Sequence, residues 1–333
     1  MPTETKRNPQ RPSRPWRIVL VLALLLVAGF AAGPRVEVDH GGIDVQVPVD
    51  VDRYVQASES RIAGLVPGTE KQIVRHPDAG GKKTPLAIVY FHGFTASRQE
   101  LSPVPQELAR RLGANLFLTR LSGHGIPGDA LGAVTVEDWM RDAVEAMQVG
   151  RALGERVLVI GTSTGGTLAT WLAASDYAED LQGVVLMSPN FGPSDPRADI
   201  LTWPWGEQIA ELVQGEYRSW KPVNEGHARY WTTRYPTRAL VTMMSLVELV
   251  REQGLAGVRV PLLVMYSPQD RLIDTGRIID AANSLDPDRV TLVSVEDPDK
   301  SHLHVLAGDI LAPATSPLVL ETIERFARRT SVQ

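Results

Sequence analysis

The sequence predicts an α/β fold: a mainly parallel sheet with helices on both faces and an inserted, largely helical cap. Three observations predict it. Short apolar runs recur at residues 85–91, 156–160, 181–188, 260–266 and 289–295, each reading as a strand covered on both faces. Segments with apolar residues at helical spacing lie between them, as over 103–112 and 136–153. One run, Arg156 to Ile160, stops at Gly161-Thr162-Ser163-Thr164-Gly165, and an Ala/Leu-rich helix begins at once. Alternating strands and helices of this kind pack as a sheet between helical layers.

Taken in order, the chain opens with Lys6, Arg7, Arg11, Arg14 and Arg17, expected as a basic cytoplasmic tail over 1–17. Residues 18–34 carry only one charge-free apolar run, rich in Leu, Val and Ala. It is expected to be a signal anchor, or else a cleaved signal peptide, because it lies between the usual lengths of a signal core and of a span. Acidic residues follow at Glu37, Asp39, Asp44, Asp50 and Asp52, so the distribution of positive charge puts the remaining chain on the extracytoplasmic side. Residues 36–68 read as a stalk and 69–330 as one domain.

Within that domain, the strand over 85–91 runs into His92-Gly93-Phe94. A helix over 103–112, a strand over 115–120 and a Ser122-Gly123-His124-Gly125 turn come next. The helix over 136–153 sets Trp139, Ala143, Met147 and Gly150 on one side. Between Asn190 and Gly257 the alternation stops, and four of the seven tryptophans gather there: Trp203, Trp205, Trp220 and Trp231. This is the cap, at about 190–257. Its aromatics are expected mainly to form its own small core, with a few lining an acyl pocket. The strand over 260–266 leads to Ser267-Pro268-Gln269-Asp270, and the last strand leads to Ser301-His302-Leu303-His304.

The pentapeptide around Ser163 is the sharpest chemical signal. A serine on a tight strand-to-helix turn has strained backbone and an exposed hydroxyl, and flanking glycines leave room for the turn. The helix behind it directs N–H groups and its positive end at an oxygen above the serine. A phosphate loop would need Gly-Lys-Ser/Thr, and no lysine is near. A serine nucleophile needs an imidazole to take its proton and a carboxylate to orient that imidazole. Asp270 and His304 stand after later strands in the required order. Asp274 and Asp280 compete with Asp270 but suit a helix cap and a helix interior; His302 competes with His304. His302, His304 and the nearby Glu296, Asp297 and Asp299 offer no third-ligand spacing for a metal, so neither metal nor cofactor is expected.

With His92-Gly93-Phe94, Leu121 to Gly125, Gly161 to Gly165, Ser267 to Asp270 and His304 in view, the chain resembles a serine hydrolase of the α/β-hydrolase superfamily. In outline it is similar to the carboxylesterase and monoacylglycerol-lipase branch, from about Lys71 to Arg329. The resemblance implies the α/β-hydrolase fold, a Ser163–His304–Asp270 triad, and an oxyanion hole from the backbone N–H groups of Phe94 and Thr164. It departs from the branch two positions before His304, where a serine is usual and His302 stands. The implied activity is cleavage of lipid-derived or small acyl esters. A thioesterase or acyltransferase could use the same triad, and a binding protein could keep the fold without the chemistry.

A net charge of −5 argues against nucleic acid as a partner. The expected partners are a small acyl ester or lipid and, through the amino-terminal segment, a membrane. With no cysteine, neither a disulfide nor a thiol-linked lipid is available, so the core alone must hold the fold.

Overall fold

The computed structural model of the chain describes residues 15–39 and 41–331. Seven strands form one sheet in the order β1-β3-β2-β4-β5-β8-β9. These are β1 Gln72–Val74, β2 Thr84–Phe91, β3 Asn115–Leu118, β4 Gly154–Thr162, β5 Leu181–Met187, β8 Leu262–Tyr266 and β9 Val290–Ser294. Only β1 runs antiparallel to its neighbour. The period of two along a strand divides the core. Ala87, Val89, Phe91, Val157, Val159, Val184 and Leu186 face one cluster, while Ile88, Tyr90, Leu158, Ile160, Val185 and Met187 face the other. Helices α4 Val136–Leu153 and α5 Thr164–Ala173 cover the first face; α3 Val104–Leu112 and α10 Ser316–Thr330 cover the second. Helix α9 Thr275–Asn283 joins β8 to β9 and adds Ile278 to the first cluster.

The insertion between β5 and β8 holds α6 Gly206–Gln214, β6 Tyr217–Ser219, α7 Glu225–Tyr230, β7 Arg234–Pro236 and α8 Arg238–Gln253. Strands β6 and β7 pair antiparallel apart from the main sheet. Met244, Leu246 and Val247 of α8 are fully buried against the sheet's first-face core, which fixes the insertion to the body.

At the amino end, α1 Pro15–Ala31 has 17 residues. At 1.5 Å per residue it rises about 25 Å, short of a hydrocarbon core of about 30 Å. No helix among the described residues is long and apolar enough to cross a membrane, so the spanning anchor expected over 18–34 gains no support. Lys6, Arg7, Arg11 and Arg14 of the expected basic tail lie outside the described residues. The segment expected as a stalk lies against the domain. Val47 N–H donates to Gln148 Oε1 at 3.0 Å and Ile43 N–H to Tyr177 Oη at 2.6 Å. Helix α2 Val51–Glu59 buries Val51 and Val55 in the core, and Glu59 forms a buried ion pair with Arg120 at 2.8 Å. Nothing periodic beyond one short turn marked that helix, and its two valines were too few to signal a buried face.

Candidate active site

Ser163 sits between β4 and α5 with φ +52° and ψ −117°, a region non-glycine residues seldom occupy. The turn over-determines that strain. Ser163 N–H donates to Met187 O at 2.9 Å, and Ser163 O accepts from Thr167 N–H and Asn190 N–H at 3.0 and 3.1 Å. The glycines are sterically required. A Cβ on Gly161 would lie 2.4 Å from Gly165 O, and one on Gly165 would lie 2.4 Å from Phe91 O and 2.5 Å from His92 O. Thr164 opens α5, where the first N–H groups have no partner inside the helix and point back towards the serine.

Asp270 and His304 come from loops beyond β8 and β9, 34 residues apart in sequence. His304 Nδ1–H donates to Asp270 Oδ2 at 2.6 Å, which fixes the tautomer and leaves Nε2 free to accept a proton. The carboxylate of Asp270 is fully shielded, and its Oδ1 accepts from Leu272 N–H at 2.8 Å and Ile273 N–H at 3.3 Å. The loop after β5 braces this segment: Asp274 N–H donates to Gly192 O and Ser194 Oγ to Arg271 O. Ser188 Oγ, at the end of β5, donates to His304 O at 2.8 Å. The competitors have other partners. Asp274 caps α9 through Gly276 N–H, Asp280 lies inside α9, and His302 Nδ1 accepts from Arg271 N–H at 3.2 Å.

The His92-Gly93-Phe94 turn is held by two buried histidines. His92 Nε2 accepts from Leu121 N–H and His124 Nε2 accepts from Thr95 N–H, both at 3.1 Å. Their Nδ1–H groups therefore donate, to Gly93 O and Ser122 O. Burial lowers both pKa values, His92 well below the usual range and His124 to about 4, so both rings stay neutral. His124 thus fixes the residue after Phe94. The ring of Phe94 packs edge-on to Tyr235 of β7, 5.3 Å between centroids, joining the turn to the insertion.

A cavity of about 1320 Å³ opens above these residues, with Gly93, Phe94, Ser163 and His304 in its wall. The insertion roofs it with Trp220, Trp231 and Met243, among others. The four tryptophans divide differently from a cap core. Trp203 and Trp205 are 50 and 40 % exposed, whereas Trp220 and Trp231 flank the ring of His227 at 4.6 and 4.8 Å on the cavity wall. Glu100 and Asn190 are among the cavity residues that were not picked out in the sequence. Both are polar residues in stretches without periodicity, and only their burial marks them. Among the described residues no cluster of three potential ligands could hold a metal.

A sheet of this order, an inserted roof and a strained serine between β4 and α5 define an α/β-hydrolase serine hydrolase of the esterase and lipase kind. The family described as serine aminopeptidase, S33, matches residues 82–297, and the chain belongs to it. A thermostable monoacylglycerol lipase from Bacillus sp. (strain H-257) is 24 % identical over 248 residues, spanning 73 % of this chain and 91 % of that protein. A carboxylesterase from Bacillus subtilis (strain 168) is 23 % identical over 198 residues, spanning 59 and 75 %. Among solved structures, a metagenome-derived lipolytic enzyme of the LipS and LipT work superposes with TM-score 0.66 at 21 % identity, over 80 % of this chain and 99 % of that one. The Paleococcus ferrophilus monoacylglycerol lipase superposes with TM-score 0.58 at 15 % identity, over 78 and 98 %.

Proposed function

We propose that the chain hydrolyses lipid-derived or small acyl esters through an acyl-enzyme on Ser163, with His304 as base, Asp270 as its orienting acid, and Phe94 and Thr164 as oxyanion donors. The observation that carries this is the 2.6 Å bond from His304 to a shielded Asp270, with His304 and the strained Ser163 in one cavity wall. As Ser163 Oγ bonds to the ester carbon, its proton passes to His304 Nε2 and the carbonyl pair moves onto oxygen. The Phe94 and Thr164 N–H groups stabilise that oxyanion, and losing one such donor costs about 3–4 kcal/mol of barrier. Collapse expels the alkoxide, which takes the proton from His304, and water repeats the sequence in reverse to free the acid. Asp270 stabilises the imidazolium at both stages.

The size and apolar roof of the cavity support an acyl substrate over a short polar one. The proposal extends to attachment at a membrane by the amino-terminal segment, with the domain on the extracytoplasmic side. Supporting it is the exposed apolar surface of α1, where Leu26 is 75 % and Val27 65 % accessible.

A fluorophosphonate probe tests the chemistry. The wild type should label at Ser163, and Ser163→Ala should neither label nor turn over esters beyond the residual catalysis that binding and oxyanion stabilisation provide. Labelling that survives in Ser163→Ala would refute the mechanism. A panel of ester, thioester and amide substrates then separates hydrolysis of esters from the alternatives on the same triad.

A further inference from the structure

Glu100 closes the short 3-10 turn Arg98–Glu100 after the His92-Gly93-Phe94 loop, and only 2 % of it is exposed. Its Oε2 accepts twice, from Gly93 N–H and from Tyr90 Oη–H, both at 2.8 Å. Oε1 lies close to the nucleophile's turn: a Cβ on Gly93 would lie 2.9 Å from Glu100 Oε1 and 3.3 Å from Ser163 Cβ. Glu100 is also in the wall of the catalytic cavity. No Lys or Arg among the described residues shares its bonds.

We propose that Glu100 works as a neutral carboxylic acid beside the oxyanion turn, holding the Gly93 peptide through Oε2 and presenting Oε1–H to the reacting end of the cavity. The inference rests on the Ser163 mechanism proposed above. An ionised carboxylate here would face a tetrahedral oxyanion in a low-dielectric site, where like charges repel strongly. A protonated one keeps both Oε2 bonds and adds a donor where negative charge develops. Burial favours the neutral form. Burial raises the pKa of Glu100 to about 7, against the lowering effect of its bonds from Gly93 and Tyr90 and of the charge on His304. The titratable groups acting on it are Tyr90, from β2, and His304, from the loop after β9. Tyr90 is itself raised well above its usual range, by burial and then by Glu100, so it stays a donor.

The sign follows. Below about 7 Glu100 is neutral and supports the transition state; above it, each pH unit removes roughly a further tenfold of the neutral form. Activity should fall as pH rises through this range and Glu100 ionises. The test is the kcat and KM of a soluble short-chain ester from pH 5 to 9.5 in the wild type and in Glu100→Gln, an isostere that cannot ionise. The wild type should lose about tenfold or more in kcat between pH 7 and 9, with KM little changed. Glu100→Gln should lose the alkaline fall. Glu100→Ala should lose about tenfold or more at every pH, because Gly93 N–H then has no acceptor. An alkaline fall equal in Glu100→Gln and wild type, or no fall in either, would overturn the proposal even if Glu100→Ala failed to fold. Probe labelling that depends on Ser163 in the same preparations keeps that failure distinct from a failure of the triad.

Discussion

His302 and His304 are two residues apart, and only their partners tell them apart. His304 donates Nδ1–H to a shielded carboxylate and thereby exposes a basic Nε2; His302 spends its Nδ1 on the backbone N–H of Arg271. An imidazole without a carboxylate behind it holds neither tautomer nor charge as well. His304→Ala should therefore lower kcat by about a thousandfold or more, while His302→Ala should change it by less than about tenfold. Steady-state kinetics on one ester measures both. The reverse ranking would move the base to His302 and leave Ser163 untouched. Sequence order offered His304 with His302 as its competitor; the hydrogen bonds give the two rings different partners.

At the scale of elements, the turn between β4 and α5 was legible because its constraints are local. Gly161 and Gly165 face each other across the turn, and the strand and helix on either side announce themselves by period. The insertion was legible only as an interruption. Its tryptophans could be counted but not oriented: a core with a few aromatics on the pocket was expected, and the four divide into an exposed pair and a cavity pair. That division yields a prediction on specificity. Each methylene buried in an apolar pocket is worth roughly 0.8 kcal/mol, a few-fold in kcat/KM. Trp220→Ala or Trp231→Ala should enlarge the pocket and move the acyl-length optimum upwards by about two or more carbons. Trp203→Ala and Trp205→Ala should leave the optimum where it is. A series of 4-nitrophenyl esters of increasing length reads this directly, and a profile unmoved by all four substitutions would remove the insertion from the acyl site.

Across the whole molecule, the first 60 residues divide at a point that sequence did not mark. The surface of α1 is exposed, and it meets the body near its end, where Trp205 N–H donates to Pro34 O and Trp205 Nε1–H to Gly29 O. Residues 43–59, by contrast, bury Val51 and Val55 and place Glu59 against Arg120. Removing residues 1–35 should leave melting temperature and kcat/KM on a soluble ester nearly unchanged while abolishing recovery with sedimented membranes. Removing residues 1–60 should unfold the protein or lower its melting temperature steeply. Breaking a buried ion pair by deleting one partner alone costs about 3–5 kcal/mol. Glu59→Ala should accordingly destabilise the chain by about that much, measured by urea unfolding at neutral pH. Equal stability of the two truncated chains would mean that α2 contributes nothing to the body.

The sequence by itself determined what depends on neighbours in the chain. Strands β2, β4, β5, β8 and β9, helices α3 and α4, the strained serine and the order Ser163, Asp270, His304 all follow from period, turn chemistry and spacing over a few residues. Only the tertiary structure decided what depends on distance across the fold. It paired His304 with Asp270, tied the Phe94 turn to His92 and His124, drew residues 43–59 into the body and set Glu100 beside Ser163. The physical reason is the same in each case. A polar side chain carries no periodic signal, so its role is set by burial and by the partners that distant segments bring to it.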